Sequence, residues 1–165
     1  MEVKLMNYTT NPLQNIEEAA STCYNSEPSE TGSITKLCYL SHHESVLEHT
    51  SFTFKIYGVS RALMAQLTRH RVASFSVESQ RYVDQTTQQC VVPPSIRNNP
   101  EALRLYLHVL NVSKTAYTKL EELKIPKEDA RFCLPEGTCT CITFTMNLRE
   151  LSHFCGLRRC SRSQW

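Results

Sequence analysis

Apolar positions recur along this chain with two periods, and each period marks an element. From Ser51 to Gly58 they alternate, with Phe52, Phe54 and Ile56 on one side and Thr53, Lys55 and Tyr57 on the other. That pattern predicts a half-buried strand. Thr138–Thr145 alternates likewise, Ile142 and Phe144 lying opposite Cys139, Cys141 and Thr143. Helical spacing appears in Asn15–Asn25, through Ile16, Ala19, Ala20 and Cys23, and a short helix is predicted over Thr35–His42. Between them Glu27–Gly32, rich in Ser, Pro and Gly, reads as a loop, and His42–Thr50 as a polar segment. Ser60 is placed to cap a helix running to Arg69 with Leu63, Met64 and Leu67 on its inner face. Pro100 suits the first turn of a long helix to about Lys124, whose inner face is Leu103, Leu107, Leu110, Tyr117 and Leu120. A short helical piece follows Pro126, and Asn147 is placed to cap a last helix bearing Leu148, Leu151, Phe154, Cys155 and Leu157. Helices with a few strands far apart in sequence predict an α+β domain with a largely antiparallel sheet flanked by helices.

The chain has 165 residues, enough for one domain, 1–165, with its own core. Its net charge of +2 is too small for a broad nucleic-acid or membrane face, and neither partner is expected. No run approaches the roughly 20 apolar residues of a membrane span. The start carries Glu2 and Lys4 and lacks the apolar stretch of a signal peptide, so a cytoplasmic protein is expected. The eight cysteines show no paired C-x-x-C spacing and read as reduced thiols.

Charge is informative through its placement. Arginines gather at Arg69, Arg71 and Arg81 and again at Arg149, Arg158, Arg159 and Arg162. The guanidinium is a planar fork that matches phosphate and carboxylate, so two clusters in a near-neutral chain point to a localised anionic ligand. The densest stretch, Gln66–Tyr82 (QLTRHRVASFSVESQRY), leaves a helix for an irregular polar segment. It reads either as an anion-binding loop or as a solvated basic helix terminus, and spacing alone leaves both open. His43 and His49 are six apart, which does not fit the i, i+4 spacing of a zinc helix, and no metal is expected.

The sequence resembles the flavin-dependent thymidylate synthases. Arg69-His70-Arg71, seven residues and then Ser79 match that family's R-H-R-x7-S signature, and Ala73, Ser74, Arg81 and Tyr82 extend it. His43-Glu44 with Glu48-His49, Ala130-Arg131 with Leu134-Pro135, Asn147-Leu148-Arg149, His153-Phe154, Leu157-Arg158 and Gln164-Trp165 match further family segments in order.

The resemblance implies reductive methylation of dUMP to dTMP, with 5,10-methylenetetrahydrofolate as carbon donor and NADPH-reduced FAD as hydride source. It implies a homotetramer with active sites between subunits. The dUMP ligands implied are Gln66, Arg69, Ser79, Arg81, Arg131 and Arg158, the last two from a neighbouring chain, with Ser79 and Arg158 at the reacting centre. Ser79 is implied as a ligand beside the pyrimidine rather than a nucleophile. FAD is implied at His43, Ser45, Glu48, Arg69, His70, Arg71, Asn147, Arg149, His153 and Leu157. The chain departs from the pattern at Ser76 and Val77, where many members carry Asn-Glu, and at Arg162, where some carry His. It also stops at Trp165 where the family usually continues, so a domain shortened at its C-terminus is expected. A catalytically silent homologue that binds nucleotide or flavin is the alternative.

Overall fold

The computed structural model describes residues 1–165. Four strands form one antiparallel sheet in the order β1-β2-β4-β3: β1 Glu2–Tyr8, β2 Ser51–Ser60, β3 Ala73–Val77 and β4 Cys139–Asn147. Strand β4 alternates as its sequence requires, with Thr140, Ile142, Phe144 and Met146 buried. Two strands go beyond the sequence expectation. β1 is exposed along its whole length, so its pattern of charged and apolar residues carries no buried face to betray it. β3 occupies what reads as an irregular polar segment; Ala73, Phe75 and Val77 alternate with serines there.

Contacts divide the chain into two compact units. One comprises Met1–Glu2, Ile56–Leu67 and Ser76–Ile142. It holds α3 Arg61–Leu67, the short α4 Pro94–Arg97, α5 Pro100–Glu122, α6 Lys127–Ala130 and a 3-10 turn at Arg131–Cys133. Helix α3 ends before Arg69. Helix α5 starts where Pro100 predicts, and the Asn99 side chain accepts from the Glu101 and Ala102 amides, satisfying two of the donors a helix start leaves open. Of the face expected to point inward, Tyr117 is fully buried, while Leu107 is half exposed. Gly137 is required by close approach: a Cβ there would lie 2.3 Å from the Tyr106 hydroxyl. That hydroxyl donates to the Val91 carbonyl at 2.8 Å.

The other unit comprises Val3–Lys55, Thr68–Phe75 and Thr143–Trp165. It contains α1 Pro12–Tyr24, α2 Ser33–Leu40, a 3-10 turn at Glu44–His49, and α7 Leu148–Arg158. Helix α1 begins a turn earlier than predicted, with Pro12 in its first turn where a missing N–H does no harm. Ile16, Ala20, Cys38, Val46 and Leu47 form its core, with Ile34 and Leu148 against them. Within this core region Glu17 is wholly buried. Its carboxylate accepts from the Thr35 amide at 2.6 Å and the Ser29 amide at 3.3 Å, tying α1 to the start of α2.

Candidate functional site

Every residue expected to contact flavin falls in the unit built on α1, α2 and α7. His42, His43 and Ser45 follow α2, and together with Arg149 they ring a cavity of about 340 Å³ whose apolar wall includes Ala20 and Val46. His42 adopts a left-handed backbone, φ 57°, which turns the chain from α2 into the 3-10 segment. Arg149 stands on the first turn of α7. Its Nη1 donates to Glu48 Oε1 at 2.5 Å, and its Nε lies 3.6 Å from Glu44 Oε2. The Glu48 hydrogen bond, with the charges of Glu48 and Glu44, raises the guanidinium above its ordinary value, so Arg149 is firmly cationic. A cavity of this size suits part of a cofactor rather than a whole dinucleotide. Histidine, serine and arginine donors over an apolar wall fit a pyrophosphate flanked by ring systems, and FAD has that chemistry.

His70 turns inward. It is buried, and its Nδ1 lies 2.7 Å from Glu150 Oε1. The His70 ring meets Phe154 edge-on, with centroids 5.1 Å apart, and His153 at 6.1 Å. Asn147 caps α7 by accepting from the Glu150 amide. Glu150 therefore occupies the third helical position of a capping box, yet its carboxylate serves His70. Among the remaining expected flavin ligands, Arg69, Arg71 and Leu157 are exposed.

The residues expected to hold dUMP are distributed between the two units. Gln66, Ser79, Arg81 and Arg131 lie in the unit containing α5, and Arg69 and Arg158 in the other. Within the first of these, Glu128 engages two of them. Its Oε2 pairs with Arg81 Nη2 at 2.7 Å and accepts from Arg81 Nε at 2.8 Å, while its backbone carbonyl accepts from Arg131 Nε at 3.0 Å. The Ser79 hydroxyl accepts from the Arg81 amide at 3.2 Å, and the Ser79 carbonyl accepts from the Val83 amide at 2.9 Å. The signature serine thus shapes a tight turn that presents Arg81. Arg131 also lines a cavity of about 330 Å³ with Arg61 and Gln80.

Sequence reasoning passes over Arg61, Gln80, Glu128 and Glu150. Arg61 offers one local signal: a cation in the first position of a helix, where the dipole disfavours it. Glu128 and Glu150 offer none, because their partners lie 47 and 80 residues away.

The profile of the thymidylate synthase complementing protein family matches residues 4–165. The flavin-dependent thymidylate synthase of Pyrococcus horikoshii is 43% identical over 180 residues, covering 100% of this chain and 74% of that protein. Its counterpart in Thermococcus kodakarensis is 41% identical over 179 residues, covering 100% and 73%. A crystal structure of flavin-dependent thymidylate synthase from Helicobacter pylori, complexed with FAD and dUMP, superposes with a TM-score of 0.79 at 28% identity, covering 99% of this chain and 86% of that one. A family profile spanning nearly the whole chain, and full-length relatives above 40% identity, establish that this chain belongs to the thymidylate synthase complementing protein family, the flavin-dependent thymidylate synthases.

Proposed function

We propose that this protein catalyses the reductive methylation of dUMP to dTMP. The observation that carries the reading is the Ser79 turn that presents Arg81, lying within the signature segment of a chain that the family profile matches over residues 4–165. When bound, FAD reduced by NADPH supplies the hydride, and 5,10-methylenetetrahydrofolate supplies the carbon, leaving as tetrahydrofolate.

The chain's own residues bind and orient. Arg81, Arg131, Arg69 and Arg158 provide guanidinium forks for the nucleotide phosphate and pyrimidine, each contact charge-assisted. Gln66 and Ser79 add neutral hydrogen bonds, which fix the ring without attacking it. Arg81 already holds the Glu128 carboxylate, so an incoming phosphate exchanges one anion for another of greater charge. His43, Ser45 and Arg149 line the flavin-side cavity; Glu48 holds Arg149 there, and in the same unit His70 meets His153 edge-on. Arg71, Asn147 and Leu157 complete the flavin set. This division of labour, in which protein orients and cofactor carries redox chemistry, is general.

The active assembly is a homotetramer with Arg131 and Arg158 lent across subunit boundaries. The exposed face of α5 supports it: Leu105, Val109 and Val112, at helical spacing, are 64, 49 and 53% exposed, apolar surface of the sort a partner subunit covers. No helix is long and apolar enough to cross a membrane. Residues 1–165 act as one catalytic domain.

Arg158→Ala tests the nucleotide assignment. Losing one charged contact of about 1.5–3 kcal/mol should weaken dUMP binding more than tenfold. Isothermal titration with dUMP reads this directly, and an unchanged isotherm removes Arg158 from the site.

A further inference from the structure

Arg61 is placed where stability alone would not put an arginine. It is the first residue of α3, so the helix dipole opposes its charge. Burial lowers its basicity, and the neighbouring Arg131 cation lowers it further, offset in part by Glu136 and Glu78. Two guanidiniums share one cavity of about 330 Å³, with Gln80, Met64 and Leu134 around them. Departures of this kind from local consistency concentrate at functional positions.

The backbone holding Arg61 is fixed. Its amide donates to the Thr138 carbonyl at 3.1 Å, and the Ala62 amide donates to the Glu136 carbonyl at 3.1 Å. From that base Nη1 reaches the Glu78 carbonyl at 3.1 Å. The Glu78 amide in turn donates to the Cys141 carbonyl at 2.9 Å, and its carboxylate accepts from Gln88 Nε2 at 2.9 Å. Residue 78 is therefore gripped on three sides. The turn that presents Ser79 and Arg81 begins at the next residue. At the entrance to that turn, Arg61 supplies a side-chain donor to the Glu78 carbonyl.

We propose that Arg61 is a positioning residue of the nucleotide site, fixing the path of the signature segment into Ser79–Arg81 through the Glu78 carbonyl and standing beside Arg131 in the same cavity. The proposal rests on the reading of that segment as the dUMP site. It assigns Arg61 to nucleotide affinity and to the order of one loop. Flavin affinity is not its concern: the flavin-side cavity is lined by other residues, in the other unit.

The test uses the full chain with Arg61→Met, which keeps the stem and removes the fork, and Arg61→Lys, which keeps a cationic donor. Without ligand, amide exchange at Glu78 and Val83 should quicken about tenfold in Arg61→Met while α5 amides keep their rates. The dUMP dissociation constant should rise about tenfold in Arg61→Met and stay within about threefold in Arg61→Lys, with FAD affinity unchanged. Exchange and dUMP affinity both within about twofold of wild type in Arg61→Met overturn the proposal, and so does exchange that quickens equally throughout α5. A wild-type chain that fails to bind dUMP overturns the nucleotide reading instead, and the exchange arm still decides whether Arg61 orders the segment.

Discussion

Glu17 carries a burden that its surroundings make calculable. The carboxylate is fully buried and accepts from two backbone amides, Thr35 at 2.6 Å and Ser29 at 3.3 Å. Replacing it with alanine takes the acceptor from both amides, each in a half-buried residue. An orphaned, partly buried donor costs about 1–3 kcal/mol, so the pair costs roughly 2–6, and the vacated side-chain volume adds to this. Taking about 4 kcal/mol and a urea slope near 2 kcal/mol/M, the unfolding midpoint should fall by about 2 M. Glu17→Gln retains one acceptor oxygen but presents an NH2 to the other amide. Its loss should be about 1–3 kcal/mol, between wild type and alanine. Equilibrium urea unfolding at one fixed protein concentration reads both. Because α1 and α2 also wall the cavity proposed for flavin, FAD affinity should fall in the same order. A midpoint shift under about 0.3 M for Glu17→Ala, at unchanged slope, would refute the reasoning.

Two other outcomes follow from the packing. Gly137→Ala drives a methyl to 2.3 Å from the Tyr106 hydroxyl and should cost about 1–3 kcal/mol by thermal unfolding. Adding Tyr106→Phe should recover part of that loss, so strictly additive single and double variants would contradict the contact. Burial raises the thiols of Cys90, Cys133 and Cys139 above their ordinary value, whereas Cys23, Cys155 and Cys160 are exposed. Thiolate is the reactive form, so the raised group should alkylate more slowly at pH 8 and catch up as pH rises; mass spectrometry after timed iodoacetamide treatment shows the order.

Much of the fold was legible because burial writes itself into period. The alternation in Thr138–Thr145 and the helical spacing after Pro100 both correspond to observed elements, β4 and α5. β1 was not legible, since a strand exposed on both faces has no buried set to repeat. β3 was hidden by chemistry: its serines belong to a polar signature, and that density of polar groups outweighed the alternation of Ala73, Phe75 and Val77. The site was legible only in part. Arginine clustering pointed to an anion, but spacing could not separate a phosphate loop from a solvated helix end; the matched family segments weigh for the phosphate loop. Partners such as Glu150 for His70 and Glu128 for Arg81 are tertiary pairs, and no local pattern encodes them. Glu17, flanked by Ile16 and Glu18, looks like one of a pair of surface acids in sequence and is instead an internal cap.

The most direct measurement is dTMP formation by the purified chain, stripped of FAD and supplied anaerobically with dUMP, NADPH and methylenetetrahydrofolate. The account predicts product when FAD is restored and none without it, with tetrahydrofolate released in equal amount. No dTMP from protein that binds both FAD and dUMP, or dTMP formed in the absence of FAD, would contradict it.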